Sequence, residues 1–149
     1  MTDRAAAFWR RLDRPGHDAA MIERHGDGWV LTGFAAFAER GTTGVRYRLD
    51  LGDDFSTRYA RIEGFRDGRP FVHDFRREGR WYLDSIAMDG LDELIHLDFG
   101  FTPATNLQQL RHAGLDVGEA ADIPAAWFDI GESSLICLPQ HYRRIADDR

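Results

Sequence analysis

The sequence predicts a mainly β, single-domain fold in which an antiparallel sheet curls on itself into a barrel-like roll. Three observations predict it. Apolar and polar residues alternate with period two along most of the chain. The alternating runs are joined by tight turn clusters rather than by helix-length crossovers, which gives an antiparallel meander. The length, 149 residues, suits one domain. About eight to ten strands of five to ten residues fit, and an open sheet of that size tends to curl or close.

Taken in order, residues 1–16 form an N-terminal helix or arm: Asp3 to Leu12 reads as one short helix, ended by Arg14-Pro15-Gly16. From Gly28 to Phe37, Trp29, Leu31, Ala35 and Phe37 share one face. From Val45 to Leu51 the alternation is clean, with Val45, Tyr47, Leu49 and Leu51 inward and Arg46, Arg48 and Asp50 outward. The same reading serves Thr57–Glu63, Pro70–Arg76, Trp81–Ser85 and Leu94–Phe99. Asp67-Gly68 between two such runs is a strong hairpin signal. Glu119–Ile130 and Ser134–Ile145 are further strands, with Pro124 and Pro139 marking edges or bulges, and 146–149 is a tail. The segment Thr102–Gly114 reads locally as a helix, with Thr102 as N-cap, Pro103 at the first position and Gly114 as the stop. Its apolar face, Ala104, Leu107 and Leu110, is thin, so an extended loop followed by a strand competes.

Composition excludes several classes of function. Net charge is −6, against a generic nucleic-acid binder with a basic face. No apolar run is long enough to span a bilayer, and the N-terminus lacks the pattern of a secretory signal. The expected address is cytoplasmic. All 19 basic residues are Arg, so neither a Schiff-base nor a P-loop lysine exists. The single Cys137 forbids an intrachain disulfide and, flanked by Leu135, Ile136 and Leu138, reads as a small core filler.

Metal and nucleophile signatures are absent from the pattern. Six histidines are scattered without ligand spacing, and no nucleophile elbow or phosphate loop occurs, so neither metal nor cofactor is expected. Asp98 stands out as a carboxylate inside the apolar run Ile95–Phe101, costly to bury unless an arginine such as Arg58, Arg61 or Arg111 or backbone donors satisfy it. Four Trp and four Tyr join Phe-rich strands. They serve a core, or line a rolled sheet wide enough for an apolar or amphiphilic ligand.

Tyr47-Arg48-Leu49-Asp50, Phe55-Ser56-Thr57-Arg58, Trp81-Tyr82-Leu83-Asp84, Asp98 with Thr102-Pro103-Ala104-Thr105-Asn106, and Gln140-His141-Tyr142 together resemble the bacterial family described as putative glycolipid-binding. The resemblance runs from about Trp29 to Tyr142. It implies a spiral β-roll, similar to bacterial lipoprotein carriers. The family usually continues into Leu-Pro-Ile-Arg-Arg, where this chain has Gln108-Gln109-Leu110-Arg111-His112. A proline at the Gln109 position would favour the loop-then-strand reading. His96 stands where the family tends to carry a second aspartate, and Leu94 where it tends to carry cysteine.

These readings converge on one expectation. The concave apolar side of the roll binds an amphiphile such as a glycolipid or fatty-acyl compound without catalysis. The expected ligand-binding set is Arg58, Asp98, Thr105, Asn106, Arg111, Gln140 and Tyr142. The competing account of that cluster is a buried polar knot in which Arg111 neutralises Asp98. Two other functions compete. One is a small hydrolase with Asp98 or His96 as base and Arg111 steadying an anion. The other is an interaction module that dimerises through a strand edge.

Overall fold

The computed structural model describes residues 3–147. Its first half is a meander of eight strands: β1 (Arg4–Arg10), β2 (Gly16–His25), β3 (Gly28–Ala38), β4 (Thr42–Leu51), β5 (Thr57–Arg66), β6 (Arg69–Arg77), β7 (Trp81–Leu83) and β8 (Ile86–Met88). They lie side by side in chain order in one antiparallel sheet, curled but not closed. A second layer follows: β9 (Leu97–Phe99), α1 (Asn106–Ala113), β10 (Ala120–Asp122), β11 (Ala125–Phe128), β12 (Ile136–Leu138) and β13 (His141–Arg143).

Strand register turns the period-two pattern into a packed face. Ala5, Ile22, Leu31, Leu49, Ala60, Phe75 and Leu83 stand opposite one another from β1 to β7. The next row is Ala7, Ala20, Gly33, Tyr47 and Ile62. In this second row the side chains are small from β1 to β3 and large at β4 and β5. Against the large end lies the second layer. Phe99 and Phe128 meet Phe75 edge-on at ring centroid distances of 5.4 and 5.0 Å. Trp81 is buried and donates its indole N–H to the Leu94 carbonyl at 2.8 Å. Each such aromatic side chain, wholly removed from water, contributes about 1.5–3 kcal/mol. The chain's own second layer and aromatic rings thus occupy the concave side over β4–β7.

Several sequence expectations need correction. Asp3–Leu12 is not a helix. Arg4–Arg10 is the end strand, paired from Arg4↔Glu23 to Arg10↔His17. A helix of that length is marginal in water, whereas pairing covers an edge that β2 would otherwise expose. β2 escaped the pattern because Asp18 takes an inward position and Met21 an outward one. β8 is reached through Asp84-Ser85, both at positive φ (49° and 69°), a two-residue hairpin turn without glycine. Glu119–Ile130 and Ser134–Ile145 are each split in two around Pro124 and Pro139. The second layer is not wholly antiparallel either, since β9 and β11 pair parallel through a crossover that holds α1. Cys137 lies on the outer edge of that layer and is exposed, not a core filler. Among the described residues no helix is long and apolar enough to cross a membrane.

Candidate functional site

The segment after β9 is helical because no proline interrupts Gln108-Gln109-Leu110-Arg111, residues of good helix propensity. Gly114 stops it at φ 56°, donating its N–H to Leu110. The loop-then-strand alternative is thereby excluded. Thr102 is not the N-cap. Its Oγ1 accepts the Ala104 N–H at 3.0 Å and holds the preceding turn, and Thr105 occupies the cap position.

The helix buries polar side chains beside only part of its apolar face: Ala104 is buried and Leu107 packs at the edge of the core, whereas Leu110 is exposed. Thr105, Gln108, Gln109 and His112 recur at spacings that share one stripe; the first three are buried against β5, β9 and the strands after α1, and His112 is exposed. Gln108 and Gln109 are both 0 % exposed, while Leu110 is 44 % exposed. Burying two amides is tolerable only because they are satisfied. Gln108 Oε1 accepts the Thr57 hydroxyl at 2.6 Å, and its Nε2 donates to the Leu97 carbonyl. Gln109 donates to Gln140 Oε1 and to the Ile123 carbonyl at 3.3 Å. Asp98, 5 % exposed, accepts Thr105 Oγ1 at 2.6 Å and Gln140 Nε2 at 2.7 Å. Burial pushes its carboxyl above the usual range, and those two hydrogen bonds oppose the shift. The Tyr142 hydroxyl lies within 3.2 Å of Asn106 Oδ1, Gln109 Oε1 and Gln140 Oε1. Burial, assisted by the Asp98 charge, pushes it up to about 12.

A second buried knot ties the loop before α1 to the large sheet. Tyr47 donates to Asp18 Oδ1 at 2.9 Å, and Thr102 donates to Asp18 Oδ2. Desolvation raises the Asp18 carboxyl. Gly33 makes this possible, since a Cβ there would lie 2.1 Å from the Tyr47 hydroxyl. His96 makes no such network. It is 0 % exposed, neither ring nitrogen has a hydrogen-bond partner although the Phe55 backbone is close, and its ring meets His112 edge-on at 5.0 Å. Desolvation, with the nearby His112 charge, pushes it down to about 4.

With its polar stripe inward, α1 presents Leu107, Leu110 and Arg111 to two cavities. The first, about 270 Å³, lies between α1 and the small-residue end of the sheet. Ala5, Ala7, Ala20 and Ile22 supply much of its lining, Trp9 stands at its side, and Asn106 and Arg111 are its polar members. The second, about 600 Å³, lies on the other flank and reaches Phe55, Leu115 and the Arg143–Ala146 segment.

With this geometry in view, comparison with known proteins is informative. Residues 6–149 match the family described as putative glycolipid-binding. The chain belongs to that family. A crystal structure of a DUF1089 family protein from Pseudomonas aeruginosa is similar over 93 % of this chain and 76 % of that one, with a TM-score of 0.73 and 21 % identity. That likeness shows the shared fold. No curated protein matches the chain.

Within this member of the family, the expected site divides. Asp98, Thr105, Asn106, Gln140 and Tyr142 do come together, and Gln109 joins them. Of these only Asn106 also lines a cavity. Arg111 lies on the opposite stripe, and the partners of Asp98 are Thr105 and Gln140 rather than an arginine. Arg58 is elsewhere, paired with Asp27 in the β2–β3 turn at 3.0 Å. His96 and Asp98 are both buried and line neither cavity. Sequence reasoning missed Asp18, Gln108 and Gln109. A signal for Asp18 was present, since it shares parity with Ala20 and Ile22.

Proposed function

We propose that the protein binds an amphiphile of glycolipid or fatty-acyl type, with its apolar part in the cavity between α1 and β1–β3 and its polar part beside Asn106 and Arg111. The observation that carries this reading is the buried polar stripe of α1. Two glutamines and a threonine are buried and hydrogen-bonded, while Leu107, packed at the edge of the core, and the exposed Leu110 line a hollow. A chain that merely needed a plug would bury the leucines. The hollow has the apolar lining with few polar groups expected of a ligand site, and its volume is near the lower end of the roughly 300–1,000 Å³ range. Membership of the family supports the same class of ligand. The concave side is thus used only where the alanines leave room, with Trp9 as the aromatic residue at the cavity.

Native mass spectrometry of protein extracted from cells tests the proposal. Bound mass that leaves on delipidation, and an apolar dye displaced by added amphiphile, are the expected results. Protein that emerges without bound mass and yields no displacement with any amphiphile overturns it.

A further inference from the structure

The two cavities share one wall, the α1 residues Leu107, Leu110 and Arg111. Their chemistry differs. The first offers mostly alanine and aliphatic surface. The second adds Arg143 and Arg144 to Arg111, and among the described residues no acidic side chain lines it, in a chain whose net charge is −6. Arg144 is paired with Asp147 and Arg111 is engaged in a contact of its own, so it is the remaining N–H donors of three guanidinium groups around one hollow that suit a negative ligand group. Arg144 is held in place by donating to the Leu115 carbonyl at 2.9 Å and to Asp147 at 3.3 Å. A guanidinium has five N–H donors, so these bonds orient Arg144 without exhausting it. Phe55, Leu110 and Ile145 supply apolar surface beside the arginines.

We infer that the ligand is an anionic amphiphile lying across α1, with its apolar chain in the alanine-floored cavity and its anionic group among Arg111, Arg143 and Arg144. The inference rests on the binding function proposed above and adds the charge of the headgroup. A lipid phosphate and a fatty carboxylate share the required chemistry.

Calorimetric titration below micelle formation with dodecyl phosphate, dodecanoate and the neutral dodecyl maltoside tests it. At least one anionic ligand should bind tenfold or more tightly than the maltoside, on the order of one charge-assisted hydrogen bond. The stronger anion identifies the headgroup source. Arg143→Gln should reduce the preference severalfold, lowering affinity for the anionic ligand more than for the maltoside. Arg111→Gln/Arg143→Gln together should nearly abolish it, as should raising salt from 50 to 500 mM. Circular dichroism checks that both variants fold. Equal affinity for neutral and anionic ligands, or a preference untouched by Arg143→Gln, overturns the headgroup assignment and leaves the cavity function standing. Failure of all three ligands to bind overturns both.

Discussion

Asp98 and His96 sit two residues apart with buried side chains turned toward α1, and burial moves their protonation in opposite directions. A carboxyl whose folded pKa is raised holds its proton more readily in the folded than in the unfolded chain. Stability from Asp98 is therefore lost as pH rises from the ordinary carboxylate range through its folded value. A histidine held down to about 4 does the reverse: below about 6.5 the unfolded chain takes up the proton first, and stability falls until pH reaches about 4. The full effect of His96 is about 3 kcal/mol. Urea midpoints from pH 7 to pH 4 should fall more steeply for the wild type than for His96→Leu. That variant should also be at least as stable at pH 7, because it removes two buried nitrogens without partners. A steeper fall for the variant contradicts the assignment. Asp98→Ala strands Thr105 and Gln140 together, and equilibrium unfolding should show a loss of about 2–4 kcal/mol.

At the level of elements, α1 and β3 carry the argument. A glycine at position 33 lets the Tyr47 ring lie over β3 and reach Asp18 on β2, which in turn fixes Thr102 and the start of the α1 loop. Gly33→Ala should cost about 1–3 kcal/mol by overpacking. Differential hydrogen exchange should place the loosening at residues 101–106, far along the chain from the substitution. Uniform loosening would refute the link. How much of this was legible differs by element. The alternation is clean in β4, whose faces are read directly from Val45-Arg46-Tyr47-Arg48-Leu49, whereas β3 opens with Gly28–Leu31 all buried. α1 was legible as a helix from its glycine stop and its propensities, but its orientation was not. Period 3.6 identifies two stripes, and the ordinary rule buries the apolar one. Only the tertiary partners Thr57, Leu97 and Gln140 make the polar stripe the buried one.

At the scale of the whole molecule, the small side chains of Ala5, Ala7 and Ala20 leave room at one end of the sheet. The sequence prescribes a rolled sheet, and Trp29, Tyr47, Tyr59, Trp81 and Tyr82 fall on strands as expected, whereas Trp9 lies on β1 rather than on a helix. Whether they line a hollow or fill it depends on the second layer, which reaches them from residues 94–128. That is a long-range fact which local pattern does not contain. The expected site was legible in the same uneven way: Asn106 and Arg111 border the hollow, whereas Asp98, Thr105, Gln140 and Tyr142 hold the helix that walls it. Filling the hollow separates the two roles. Ala20→Leu places about three extra carbons in the first cavity. It should leave thermal stability unchanged or raised by roughly 1–2 kcal/mol of added burial, while weakening amphiphile binding at least tenfold. A variant that binds as well as the wild type would remove the cavity from the mechanism.

One wall of that hollow is β1, bonded to β2 along one side and, among the described residues, to no other strand. Every neighbouring strand from β2 to β7 is zipped on both sides, so β1 is the wall that peels at the lowest energetic expense. For the amphiphile proposed above, entry would not require melting the roll: the seven residues of β1 swinging outward would suffice, and exchange rates should follow how firmly that single seam is stitched.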